Sequence, residues 1–125
     1  MQHIIDKAVD SKNIFGITLN VSSNMMIFLQ AFFKGDIFPK KYILELSNWN
    51  NGFFPIQFGA GLMRFKLPWI FSLFNPVPNL VGHSGLSGAF AYYSPKKDIY
   101  ITGTVNQIDK PATSYKLMLK ILNSI

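Results

Sequence analysis

The sequence predicts an α+β domain: an antiparallel sheet, made of a strand and then a hairpin, flanked by helices, with the C-terminal helix packed on the sheet. Three observations carry this. Two apolar runs, 88-GAFAYYS-94 and 98-DIYITGTVN-106, are joined by Ser94-Pro95-Lys96-Lys97, with Pro95 placed for the second position of a turn. Met25, Phe28, Leu29 and Phe32 recur at i, i+3, i+4 and i+7, the spacing of one helical face. Near the end of the chain Tyr115, Met118, Leu119 and Leu122 form a second such face, with Lys116 and Lys120 on another side.

Taken in order, residues 1–20 carry few packing signals and read as an extended lead-in. Ser22-Ser23-Asn24 offers side-chain oxygens to the free N–H groups of a helix start. The helix behind them is expected over about 23 to 34, with Lys34 against the negative end of the helix dipole and Gly35 as a left-handed stop. Pro39 suits the first turn of a second short helix, KKYILELSN. In 53-FFPIQFGAGLMRFK-66 the alternation predicts one strand. Phe58, Ala60, Leu62 and Arg64 share one face, and Gly59, Gly61, Met63 and Phe65 the other. Two glycines inside a strand mark close approach by another group. Three prolines make Leu67 to Asn79 an irregular loop. After the hairpin, Lys110-Pro111 opens the last helix.

A chain of 125 residues fits one compact domain or part of one, and 49% apolar residues are enough for a core. Twelve Phe, five Tyr and two Trp are a heavy load for so short a chain, so some apolar surface is expected to meet a partner. The net charge of +6 is dispersed, and Arg64 is the single arginine, a pattern unlike a nucleic-acid site. Without cysteine there is no disulfide, thiolate chemistry or Cys-ligated zinc, and His3 and His83 are poorly spaced for a metal; no cofactor is expected. The start, MQHIIDKAVDSKN, lacks the apolar region of a signal peptide. The uncharged stretches 14–33 and 67–82 are broken by polar residues and prolines respectively, so no membrane span is expected.

Catalytic chemistry centres on 81-VGHSGLSGAF-90. It places one histidine and two hydroxyls among glycines beside an apolar strand. Read alone, His83 can donate to a backbone carbonyl, and Gly82, Gly85 and Gly88 can serve a bulge or tight packing. Gly82-His83-Ser84-Gly85-Leu86-Ser87-Gly88 also resembles the third active-site motif of serine beta-lactamase-like hydrolases. The similarity is to the class C beta-lactamase, esterase and D-alanyl-D-alanine carboxypeptidase branch, where the motif is Lys-Thr-Gly or His-x-Gly leading into a strand. In the same order, 22-SSNMMIFLQAFFKGDIF-38 resembles a helix of that family. The segment 58-FGAGLMRF-65 resembles the strand before the motif, and the 94–107 segment resembles the following turn and strand.

The resemblance implies a partial beta-lactamase-like fold, with 1–125 as the C-terminal part of one domain. It implies that His83 lines the pocket and assists proton movement, and that Ser84 offers a hydroxyl to the substrate carboxylate or carbonyl. Gly85 and Ser87 would lie against the substrate, and the backbone N–H of Leu86 would be one oxyanion-hole donor. The family's other two motifs, Ser-x-x-Lys at a helix start and Tyr-x-Asn, have no counterpart here. Ser94-Pro95-Lys96-Lys97 matches the first only on a hairpin turn, and no tyrosine is followed by x-Asn. The expectation is a fragment of an acyl-transfer hydrolase acting on D-Ala peptides, beta-lactams or small esters and amides, inactive alone. Its expected partner is the missing N-terminal part or a second copy, through a dimer or an exchanged element. The competing expectation is a stand-alone, non-catalytic binding or interaction module.

Overall fold

The computed structural model of the chain describes residues 18–19, 24–52, 54–68, 77–105 and 112–123. Among these residues three helices, α1 (Asn24–Lys34), α2 (Lys40–Leu46) and α3 (Ala112–Asn123), accompany seven strands. These are β1 (Thr18–Leu19), β2 (Asn50–Asn51), β3 (Ile56–Phe58), β4 (Met63–Phe65), β5 (Leu80–Ser84), β6 (Ala89–Ser94) and β7 (Ile99–Thr104). They form one antiparallel sheet in the order β1-β7-β6-β5-β4-β3-β2. The α+β arrangement expected from the sequence is present, with a larger sheet. Ser22, Ser23, Lys110, Pro111 and most of the expected 67–79 loop lie outside the described residues, as does the lead-in apart from Thr18–Leu19.

Directly paired residues of antiparallel strands share a sheet face. One face therefore carries Ile56, Phe65, Leu80, Phe90, Tyr92 and Ile101, and it is buried with Leu117, Met118, Ile121 and Leu122 of α3 into the core. The other carries Arg64, Val81, His83, Ala91 and Tyr93, and α1 packs on it over β6 and β7, with the Phe33 and Tyr93 rings 4.9 Å apart. The sheet is thus sandwiched between α3 and the α1–α2 layer.

α1 ends as expected at Gly35, whose φ of +87° suits a residue without Cβ. The Gly35 N–H donates to the Phe32 carbonyl and the Asp36 N–H to the Ala31 carbonyl, the paired bonds of a Schellman stop. Pro39 stands at the N-cap of α2, one residue before its first turn. At the other end of α2 the Ser47 hydroxyl donates to the Ile43 carbonyl at 2.7 Å.

The single strand expected over 53–66 is two strands. β3 and β4 pair as a hairpin, with Phe58 opposite Met63 and the Gly59 N–H bonded to the Leu62 carbonyl. The turn shifts the alternation, so Phe58 shares a face with Met63 rather than with Arg64. A close approach does occur at Gly59, where a Cβ would stand 2.1 Å from the Leu46 carbonyl oxygen. The neighbouring Ala60 N–H bonds that same carbonyl, joining the hairpin to the end of α2. Around the motif, β5 and β6 form a further hairpin beside the predicted β6–β7 one.

Candidate functional site

The motif straddles the end of β5 and its turn into β6. A Cβ on Gly82 would stand 2.0 Å from the Ala91 carbonyl oxygen, so only glycine lets the two strands approach this closely. Gly85-Leu86-Ser87-Gly88 is a tight turn. The Gly88 N–H donates to the Gly85 carbonyl at 3.0 Å, and the Gly85 N–H to the Ala89 carbonyl at 2.9 Å. Gly88 has φ +81°, which completes a type I turn with a left-handed third residue.

β5 sends its two polar side chains to opposite faces. His83, paired with Ala91, is exposed on the α1 face. It borders a groove of about 390 Å³ whose far wall is Met25, Phe28 and Phe32 of α1. Ser84, paired with Phe90, is half-buried on the α3 face. Its hydroxyl meets Tyr115 Oη at 2.5 Å, and Tyr92 Oη donates to Ser84 Oγ at 3.3 Å. Tyr92 and Tyr115 are themselves 3.1 Å apart. Burial raises the Tyr92 phenol well above its ordinary pKa, so it stays a neutral donor. Beside this hydroxyl cluster a second groove, of about 560 Å³, runs between Phe58, Met63, Leu86 and Leu119. The structure therefore separates His83 from the Ser84 hydroxyl, while Ser84 and Gly85 border both grooves.

The backbone at this point is open on one side. Pairing of β5 with β4 stops at Gly82, whereas pairing with β6 continues through Ser84. The Gly85 to Ala89 bond sets the parity of that ladder, so the N–H and C=O of Ser84 point away from β6, past the end of β4. A Cβ on Gly85 would meet only Ser87 Oγ, at 3.7 Å. Leu86 is 82% exposed, and among the described residues its N–H has no hydrogen-bond partner. Ser87 is exposed in the turn. The motif thus presents a short free strand edge, an unpaired N–H and an imidazole over an apolar groove.

Ser94 and Lys97, the one Ser-x-x-Lys pair, are apart in function. Ser94 is fully buried on the α3 face with its Oγ unpartnered. Lys97 Nζ donates to the Leu122 carbonyl at 2.7 Å, capping the end of α3. Tyr92 and Tyr115 were not legible as partners of Ser84. Tyr115 reads in sequence as part of an apolar helix face, and only the β5–β6 register brings Tyr92 to it.

Among the described residues no group of His, Cys, Asp or Glu is placed to hold a metal, and no helix is long and apolar enough to cross a membrane. No family model matches the chain, and no curated protein matches it.

Proposed function

We propose that the chain is the sheet portion of a serine beta-lactamase-like acyl-transfer hydrolase, with the nucleophile supplied by polypeptide outside these 125 residues. The observation that carries this is the free edge at Ser84–Gly85 beside the unpartnered Leu86 N–H. An extended amide or ester substrate can add to such an edge as a further strand. The Leu86 N–H then serves a developing oxyanion, and His83 stands on the groove side for proton movement. The Ser84 hydroxyl, held by two tyrosines, supports the strand from below in this arrangement rather than attacking. D-Ala peptides, beta-lactams and small esters or amides are the substrate classes in this reading, and the chain alone is inactive toward them.

The coding DNA immediately upstream tests the reading. A segment encoding Ser-x-x-Lys and Tyr-x-Asn, in frame or shifted, supports it, and an upstream region without either sinks it. The second reading, a non-catalytic interaction module, draws on a different observation. Met25, Ile27, Phe28, Ile37, Tyr42 and Leu44 are exposed together on the α1–α2 layer. A partner bound there in the absence of any upstream catalytic segment favours that reading.

A further inference from the structure

Arg64 is the chain's only guanidinium, and it is half-buried on the α1 face. It stands across from Val81 in the β4–β5 ladder, at the end of β5 away from the Gly85 turn. Its Nε and Nη2 donate to one acceptor, Gln57 Oε1, at 2.8 and 2.5 Å. Gln57 is fixed in turn, donating from Nε2 to Asn51 Oδ1 at 2.9 Å. The guanidinium lies 4.7 Å from the centre of the Trp49 ring. A guanidinium has five N–H donors, and these two bonds use only the edge on the Nε side. The opposite edge, between Nη1 and Nη2, has no partner among the described residues.

Arg64 lines a cavity of about 490 Å³, together with Lys96 and Asn79. Among the described residues no Asp or Glu lines it, and Val77, Pro78 and Val81 give it apolar walls. A partly desolvated cation normally takes a carboxylate partner. Here its described contacts are glutamine and indole instead, and Lys96 lines the same cavity.

We propose that this cavity binds a small organic carboxylate, the acid group bridging the free Arg64 edge and Lys96, and the apolar body lying against Trp49 and Val81. A planar guanidinium edge matches the two oxygens of a carboxylate. The site is separate from the Ser84–Gly85 edge and does not depend on the acyl-transfer reading.

Because Arg64 is the only arginine, its Nε–H gives a single arginine side-chain signal in an NMR spectrum of labelled protein. The probes are benzoate, acetate and inorganic phosphate. Benzoate should shift the Arg64 Nε–H and the Trp49 indole N–H saturably, and more tightly than acetate or phosphate. Arg64→Gln should weaken benzoate by about tenfold or more, the scale of a charge-assisted bidentate contact. Lys96→Gln, an exposed position whose replacement leaves the fold intact, should weaken it by roughly twofold to fivefold. Lys116→Gln, on the α3 side, should leave it unchanged. No saturable shift with benzoate, equal binding by Arg64→Gln and the unaltered chain, or acetate matching benzoate each overturns the proposal.

Discussion

Ser84 and Tyr115 meet hydroxyl to hydroxyl at 2.5 Å, joining the last residue of β5 to the first turn of α3. With Tyr92 they form a closed set of three hydroxyls under the helix. Removing one member leaves the others short of a partner, and Tyr92 among them is fully buried. Ser84→Ala and Tyr115→Phe should each lower stability by about 1 kcal/mol, read as a shift in the urea midpoint. The double variant should lose less than the sum, since the two report one contact. Full additivity would show that the hydroxyls do not interact.

The chain alone should form no covalent adduct with a penicillin or fluorophosphonate probe. Ser94 is sealed in the core, Lys97 caps α3, and Ser84 Oγ meets Tyr92, Tyr115 and Met63, none of them a base. Intact-protein mass analysis checks this. Stoichiometric labelling of Ser84, Ser87 or Ser94 would require another mechanism.

Glycine positions should rank by what a Cβ meets. At Gly82 it would collide with the Ala91 carbonyl and stand 2.7 Å from Tyr92 Cα, both backbone atoms that cannot turn aside. Gly82→Ala should therefore cost upwards of about 3 kcal/mol or prevent folding. At Gly61 nothing lies within 4 Å and only the φ of +82° resists a side chain, so Gly61→Ala should cost about 1–2 kcal/mol. Thermal melts of the two variants decide the order, and the reverse ranking would contradict the β5–β6 geometry.

Self-association should follow from the α1–α2 layer. Ile27 is 61% exposed and Leu44 74%. Among the many aromatic residues, Phe28 and Phe54 are exposed, while Phe32 and Phe33 are half-buried against each other with rings 5.1 Å apart. Phe53, Trp69, Phe71 and Phe74 lie outside the described residues. Each large side chain removed from water contributes about 1.5–3 kcal/mol, and closed twofold pairs are the commonest result. Sedimentation equilibrium should give a mass that rises with concentration, and Leu44→Glu should return it to monomer. A monomer at every concentration would count against this surface as an interface.

Alkaline pH should weaken the α1 face. Tyr93 is pushed up from 10.0 to about 12, first by burial and then by its hydrogen bond to Asp98. Tyr100, stacked on it at 4.5 Å, is raised as well, first by burial. The folded state holds these protons more tightly than the unfolded chain does. Their contribution is present in full below pH 10.0 and is lost as pH rises through about 12. Urea unfolding across this window should show falling stability, and Tyr93→Phe should flatten the fall. A Tyr93 that ionises at the ordinary tyrosine value would refute the assignment.

Much of the fold was legible where local signals agreed. β6 and β7 are apolar runs on either side of a proline turn, and α1 has both its apolar stripe and its glycine stop. The β3–β4 hairpin was hidden because Phe58 to Phe65 keeps alternating through the turn, and Gly59-Ala60-Gly61 lacks the Asn-Gly or Asp-Gly signal of a tight hairpin. In α3, Leu117 and Ile121 are buried beside Met118 and Leu122, a wider stripe than the one read from Tyr115 and its neighbours. The motif itself stood out by its glycines. Its division between two faces did not, because a serine following a histidine carries no mark of which way the strand turns. The Arg64 setting was equally silent, since Trp49 reaches it only through the chain reversal after α2.

The capping of α3 by Lys97 has a mechanical result. The helix is fastened near its start to the strand end before the Gly85–Gly88 turn, through Tyr115, and near its finish to the opposite turn, through Leu122. Those turns lie at the two ends of β6. The helix is therefore a tie-bar, anchored about 10 Å apart along its axis. A tilt of the motif's turn pulls on the loop that carries Lys96 at the far end of the strand, so the two ends of β6 move as one frame.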